Sequence, residues 1–233
     1  MHALILADGA FPVSPNCLEL LQSAPDVVCC DGAVTKLLGI GREPMAIVGD
    51  MDSIDQALKE RFKDRLYPSP DQETNDLTKA VHFCVEKGYD TITILGATGL
   101  REDHTLGNIA LLAEYTPLFR SVCLLTDYGR IDAVRFDTPM DDWATSEVDP
   151  YAPLISSTRG GQCTVARFNS FKGQQVSLFS MAPEAHLTSM ALKYPLEHRC
   201  LTSWWQGTLN ESLGDQFALS IDAGAVLVYR LNG

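Results

Sequence analysis

The hexapeptide GDMDSI, residues 49–54, sets Asp50 and Asp52 one residue apart, with Ser53 beside them, directly after the apolar run MAIV. Just past the end of a buried strand, two such carboxylates can converge on one ion. Carboxylates together with water and phosphate oxygens suit Mg²⁺, a small hard cation that keeps several waters and prefers oxygen. Taken alone, the motif fits equally well a solvated turn in which an Asp caps a helix starting near Ser53, because Asp and Ser are favoured caps.

Two further stretches carry chemistry. In DQETNDLTKA, residues 71–80, a helix starting near Asn75 puts Asp76 and Lys79 on one face. They could offer a carboxylate to a metal and an ammonium to a phosphate. A plain surface ion pair is the alternative, and Gln72 and Thr74 are turn residues with no distinctive meaning alone. In LGATGLREDHTLGN, residues 95–108, Gly96 and Gly99 allow a backbone to approach a ligand closely. Arg101, Asp103 and His104 follow, just before a helix. Amides at a helix N-terminus attract anions, and Arg101 can grip a phosphate through two nitrogens. The simpler alternative is a strand-to-helix loop capped by Asp103, and His104 alone suits a structural hydrogen bond. No His-rich or Cys/His zinc spacing accompanies it.

The elements that must position these residues alternate along the first half. ALILA, DVVCC, MAIVGD, TITILGA and SVCLLTD read as strands. PNCLELLQSA, AVTKLLG, NDLTKAVHFCVEKG and TLGNIALLAEY read as helices, with Leu77, Ala80, Val81, Cys84 and Val85 at helical spacing and Gly88 as a stop. Continuous apolar strands between helices predict a mainly parallel sheet covered on both faces, an α/β fold of three layers. Ligands in such folds sit beyond the carboxyl ends of the strands. There the acidic motifs fall: Asp31 after VVCC, Asp50 and Asp52 after MAIVG, Gly96 after TITIL. Near residue 130 the character changes to a Pro-, Asp-, Ser- and Thr-rich stretch, expected as linker or long loop over 131–160. The runs QCTVARF, QQVSLFSM, HLTSMALKY, HRCLTSWW, QFALSI and AVLVYRL then predict a smaller β-sandwich over 161–233, after an α/β domain over 1–130.

The 233 residues carry a net charge of −12 and 45% hydrophobic residues, so there is material for a core but no basic footprint for nucleic acid. An anionic substrate remains compatible, since a metal inverts the local electrostatics. Seven cysteines, an odd number without a CxxC, read as small buried hydrophobes in a reducing compartment. The first residues lack a basic region before a short apolar run, and no stretch approaches the ~20 apolar residues of a membrane helix. The expected location is cytoplasmic, with no membrane partner. A P-loop, the protein-kinase HRD and DFG motifs and a GxSxG elbow are missing.

The segments CCDGAV, IVGDMDSI, PDQETNDLTKA and LGATGLREDHTLGN resemble, in sequence and order, the catalytic half of the thiamine pyrophosphokinase family. LKYPLEHRCL and GTLNE resemble that family's thiamine-binding segment. The likeness covers most of the chain outside 130–160. It implies an α/β catalytic domain followed by a β-sandwich, working as a homodimer with thiamine near the subunit interface. The implied reaction is Mg²⁺-dependent transfer of pyrophosphate from ATP to the thiamine hydroxyl, giving thiamine diphosphate and AMP. Carried over by motif, Asp50, Asp52 and Asp76 form the metal and phosphate site with Asp31 close by. Lys79, Arg101, Gly96 and Gly99 face the nucleotide and its phosphates. Gln72 and Asp103 lie at the substrate, as does Asn210. Tyr194 and Trp205, or its neighbour Trp204, can stack on the thiamine rings. Ala33, Thr35 and Leu209 depart from the family pattern. Two other readings stand beside this one: a pyrophosphokinase for a pterin alcohol, and a non-catalytic module that binds thiamine or nucleotide.

Overall fold

The computed structural model describes residues 1–71, 73–136, 149, 151–157 and 163–233. Contacts divide the chain into two compact units, Met1–Leu111 with Leu118–Asp127, and Leu112–Pro117 with Tyr128–Gly233. In the first unit the apolar runs form strands β1 (His2–Leu6), β2 (Val27–Cys30), β3 (Ala46–Gly49), β4 (Leu66–Pro68), β5 (Thr91–Leu95) and β6 (Ser121–Leu125). Between them lie helices α1 (Pro15–Ser23), α2 (Ala33–Gly39), α3 (Gln56–Arg61), α4 (Asp76–Glu86) and most of α5 (Glu102–Tyr115). The strands run parallel in the order β6-β5-β1-β2-β3-β4. Strands β2, β3 and β5 are buried throughout, which is why they read as unbroken apolar runs.

That strand order has a consequence for the site. The chain moves outward one way through β2, β3 and β4, then returns beside β1 to lay down β5 and β6. The loops leaving β1 and β5 therefore depart in opposite directions, and such a switch point opens a crevice at the carboxyl ends. On one side of the sheet, Leu21, Val34, Leu37, Ile47, Ile54 and Phe62 form a continuous core that fixes the helices. The helix starts also follow from sequence. Pro15 occupies the first turn of α1 after the cap Ser14, Asp55 caps α3 through Leu58 N–H at 2.8 Å, and Asn75 caps α4 through Thr78 N–H at 2.9 Å.

The second unit is antiparallel. One sheet runs β13-β10-β15-β7, from Asn210–Glu211, Gln175–Ser180, Ala225–Leu231 and Gly129–Arg135. The other runs β12-β11-β14-β9-β8, from Arg199–Cys200, His186–Met190, Gln216–Ile221, Thr164–Asn169 and Leu154–Ser157. Val134, Phe168, Val176, Leu178, Leu187, Phe217, Leu219 and Val228 make one buried cluster from the two sheets, with Phe168 and Phe217 stacked at 4.8 Å. This is the expected β-sandwich.

Two expectations are corrected. Residues 131–135 and 154–157, inside the stretch expected as linker or long loop, are strand; of the rest of that stretch, residues 137–148, 150 and 158–160 lie outside the described residues. HRCLTSWW, expected as a strand, is strand only at Arg199–Cys200 and then winds into a 3₁₀ turn at Trp204–Gly207. The reason is local: the Ser203 N–H donates to Gln206 Oε1 at 3.0 Å, closing the turn. Cys17, Cys29, Cys30, Cys84 and Cys123 are buried, as expected of small apolar side chains, and Cys163 and Cys200 are half-buried. Among the described residues no helix is long and apolar enough to cross a membrane.

Candidate active site

Three carboxylates meet at the carboxyl ends of β2 and β3 and the start of α4. Asp31 directly follows β2 with a left-handed φ of 25°, a conformation that Asp tolerates better than most side chains. It is only 3% exposed. Its Oδ2 accepts the Ser53 N–H at 3.0 Å, while its buried Oδ1 has no partner among the described residues. Burial pushes the Asp31 carboxyl above the ordinary aspartate range; the Ser53 hydrogen bonds oppose this, and the charges of Asp50 and Asp76 reinforce it. Gly49, between the three, is the residue that leaves room. A β-carbon there would stand 2.9 Å from Asp31 Cβ and 3.4 Å from both Asp31 Cγ and Asp76 Oδ1.

Asp50 accepts the Asp52 N–H at 3.0 Å on Oδ1, and the turn is completed by Met51 at φ 68°. Asp52 is exposed beside it. Asp76 opens α4 and pairs with Lys79 one turn on, Nζ to Oδ1 at 3.0 Å. This pair is not a surface decoration, because the Lys79 side chain is buried. A lysine is buried when a carboxylate or a ligand anion compensates its charge. The fold brings Asp31, Asp50, Asp76 and Lys79 into one neighbourhood.

The second face of the site is made of loops leaving β1 and β5. The Gly9 N–H donates to Gly96 O at 2.7 Å and the Ala10 N–H to Thr98 O at 2.8 Å, so the two loops are stitched together. Gly96 has φ 68°, and a β-carbon on it would meet Ala7 O at 2.5 Å. Only glycine fits there. Gly99, at φ 77°, gives its N–H to Thr105 Oγ1 at 3.0 Å. Arg101 and Asp103, at the start of α5, hold each other, Nε to Oδ1 at 3.1 Å and Nη2 to Oδ2 at 2.5 Å. Both are exposed. The Arg101 hydrogen bonds hold the Asp103 carboxyl below the ordinary range.

Two residues went unnoticed in the sequence. Lys36, on α2, reaches Asp8 Oδ1 at 2.8 Å and the carbonyls of Asp8 and Gly9 at 3.0 and 2.7 Å. It therefore ties the loop after β1 to α2. The available signal was the position of Asp8, which follows an apolar strand just as Asp31 and Asp50 do. Gln72 lies outside the described residues. In the second unit, Asn210 is buried and clamps the backbone of Tyr194, accepting its N–H at 3.0 Å and donating to its carbonyl at 2.8 Å. The Tyr194 ring is exposed, and so is Trp205.

The family description "Thiamin pyrophosphokinase, catalytic domain" matches residues 17–124, and "Thiamin pyrophosphokinase, substrate-binding domain" matches residues 162–229. The chain belongs to the thiamin pyrophosphokinase family. Among curated relatives, it is 41% identical over 113 residues to the Bacillus subtilis thiamine pyrophosphokinase, covering 46% of this chain and 52% of that protein. It is 37% identical over 171 residues to thiamine pyrophosphokinase 1 of Oryza sativa subsp. japonica, covering 69% and 55%. The chain thus spans about half the length of the curated relatives it matches. A solved structure of the B. subtilis thiamine pyrophosphokinase has the same fold, with a TM-score of 0.74, 22% identity and coverage of 100% of this chain and 99% of that one. The Candida albicans thiamin pyrophosphokinase structure gives a TM-score of 0.72 at 16% identity, covering 99% and 90%.

The donor set suits Mg²⁺. It is all oxygen, it includes a buried carboxylate oxygen without a partner, and Gly49 keeps the space beside it free. A stability experiment checks this. In metal-free protein at neutral pH, ionised Asp31 opposes folding, because its carboxyl is raised relative to the unfolded chain. Its contribution is most favourable in acid and is lost as pH rises through the raised value. Asp31→Asn is therefore expected to melt higher than wild type without Mg²⁺. Added Mg²⁺ is expected to raise the wild-type Tm and to leave Asp31→Asn nearly unchanged. The reverse order would mean that Asp31 binds no Mg²⁺.

Proposed function

We propose that this chain is a thiamine pyrophosphokinase: it transfers the terminal pyrophosphate of ATP to the hydroxyl of thiamine, giving thiamine diphosphate and AMP. The observation that carries this reading is the meeting of Asp31, Asp50 and Asp76 beside buried Lys79 at strand ends, in a chain with both family domains. Asp50, Asp52 and Asp76 would hold Mg²⁺, and the unpartnered Asp31 oxygen would join them. When bound, the ion neutralises charge on the ATP phosphates and lets them lie beside carboxylates.

The chain's own residues do the rest. Lys79 presents its ammonium from the start of α4, where it can trade part of its bond to Asp76 for a phosphate oxygen. Arg101 offers a fork to the same anions from the start of α5. Gly96 and Gly99 let the backbone after β5 lie close to the nucleotide. In the chemical step the thiamine oxygen bonds to the β-phosphorus and the bond from that phosphorus to the bridging oxygen of AMP breaks. The hydroxyl proton must leave. Asp76 and Asp103 are the two carboxylates assigned to orient the hydroxyl and take its proton, Asp103 being held below the ordinary range by Arg101. Positioning and charge neutralisation are most of what such a transfer asks of a protein.

In the second unit Tyr194 and Trp205 are assigned to the thiamine rings, since exposed aromatics can stack on a cationic thiazolium. Asn210 serves by holding the Tyr194 backbone, and Gln72 is assigned to the substrate on the family resemblance alone. The family resemblance also supports a homodimer, and an odd number of cysteines, five of them buried, fits a reducing cytoplasm.

The deciding assay supplies ATP, Mg²⁺ and thiamine and separates the nucleotide products. Equal amounts of AMP and thiamine diphosphate are expected. ADP in place of AMP would overturn the chemistry. Turnover with a pterin alcohol and none with thiamine would overturn the acceptor.

A further inference from the structure

At one end of the second sheet, three side chains from separate segments come together. His186 is the first residue of β11, His198 immediately precedes β12, and Asp222 immediately follows β14. One ligand atom from each lies within 4.8 Å of the others. The imidazoles of His186 and His198 are stacked, with centroids 4.1 Å apart and planes 9° apart. Asp222 fixes the first ring from two sides: the His186 N–H donates to Oδ1 at 2.7 Å, and Nδ1 stands 3.1 Å from Oδ2. An ionised carboxylate only accepts, so Nδ1 carries the hydrogen. In the neutral ring the lone pair is then on Nε2.

We propose that His186 and His198, oriented by Asp222, form a binding site for a borderline transition-metal ion of the Zn²⁺, Ni²⁺ or Cu²⁺ type, separate from the acidic site of the first unit. Imidazole nitrogen selects these ions over Mg²⁺. A carboxylate that holds the far nitrogen of a ligating histidine fixes both its tautomer and its direction. His198 is exposed, so its ring has room to turn from the stack until both nitrogens reach ~2.0–2.1 Å from one ion, with water filling the other positions.

The fold gives such an ion something to do. Strand β12 is an edge of only two residues, paired to β11 through His186–Cys200 and Leu187–Arg199. So short an edge has few hydrogen bonds to hold it. An ion bridging His186 and His198 would staple the entry of β12 to β11. The loop between these strands carries Tyr194, and the chain after β12 leads into Trp204–Gly207. The staple would therefore steady both segments assigned to thiamine. The metal site itself rests on none of that assignment.

The test is a Zn²⁺ titration of the full chain, purified without a histidine tag, in saturating Mg²⁺ so that the carboxylate site is occupied. The variants are His198→Asn and Asp222→Asn. Asparagine is chosen at 198 because the backbone there has φ 48°, which Asn tolerates. One Zn²⁺ per wild-type chain is expected, together with a rise in Tm as Zn²⁺ is added. Affinity should fall about tenfold or more in each variant, and the Tm rise should shrink with it. Without Zn²⁺, both variants should melt close to wild type. Equal Zn²⁺ affinity in wild type and His198→Asn would overturn the site, as would a wild type that takes up no Zn²⁺, Ni²⁺ or Cu²⁺.

Discussion

Asp50→Asn should lower thiamine diphosphate formation about a thousandfold and leave the unfolding transition close to wild type. The substitution keeps shape and keeps an acceptor oxygen for the Asp52 N–H, now 3.0 Å from Oδ1. The turn through Met51 therefore has no reason to change. What goes is one of the negative charges that face buried Asp31. A metal ligand supplies several kcal/mol to a phosphoryl-transfer transition state, and each ~1.4 kcal/mol is a factor of ten in rate. With that charge gone, Asp31 ionises more easily, so the metal-free variant should be no less stable than wild type. Asp55→Asn is the control. Asp55 lies five residues on and only caps α3, and Asn is as good a cap. It should change turnover less than twofold. An Asp50→Asn variant within tenfold of wild type would take Asp50 out of the proposed Mg²⁺ site.

How legible the site was follows from where its residues lie. Asp31, Asp50 and Asp76 each sit next to a strand end or helix start that periodicity marks clearly, so strand and site were found together. Asp76 and Lys79 are one helical turn apart, and knowing the helix start suffices to pair them. Lys36 was hidden because its partners, Asp8 and Gly9, are 28 and 27 residues away, and only the parallel pairing of β1 with β2 brings α2 over that loop. The cluster of His186, His198 and Asp222 was hidden for the same reason. Its spacing matches no metal motif, and antiparallel pairing alone brings it together. Strand β7 was missed through a different failure. GRIDAVR carries Arg130 and Asp132 in what is a buried strand, and charges at inward positions break the apolar run on which the reading rests. The strand is possible because those charges neutralise one another inside.

Asp132→Ala should therefore be among the most damaging changes in the second unit. Asp132 is 1% exposed and lies between two guanidinium groups. Its Oδ1 accepts from Arg130 Nε at 2.8 Å and its Oδ2 from Arg230 Nη2 at 2.6 Å. Arg230, 4% exposed, also donates to the carbonyls of Asn169 at 2.9 Å and Tyr151 at 2.7 Å, and lies over the Phe168 ring at 5.2 Å. Arg130 reaches on to both oxygens of Asp149 at 2.9 and 2.6 Å. Removing the central carboxylate leaves Arg230 buried beside carbonyls and a ring that cannot neutralise it. Breaking a buried pair from one side costs about 3–5 kcal/mol, which for a chain of this size lowers Tm by about 10 °C. Replacing Asp132 together with Arg230, as Asp132→Leu with Arg230→Met, removes the stranded charge as well as its partner and leaves Arg130 on Asp149. That double variant should recover most of the loss, since well-packed apolar side chains often match a buried ion pair. The two melts together separate the cost of an orphaned charge from the worth of the network. A single variant that loses under about 1 kcal/mol would mean that water reaches Arg230 easily, and that the charges in β7 are tolerated by solvation rather than by pairing.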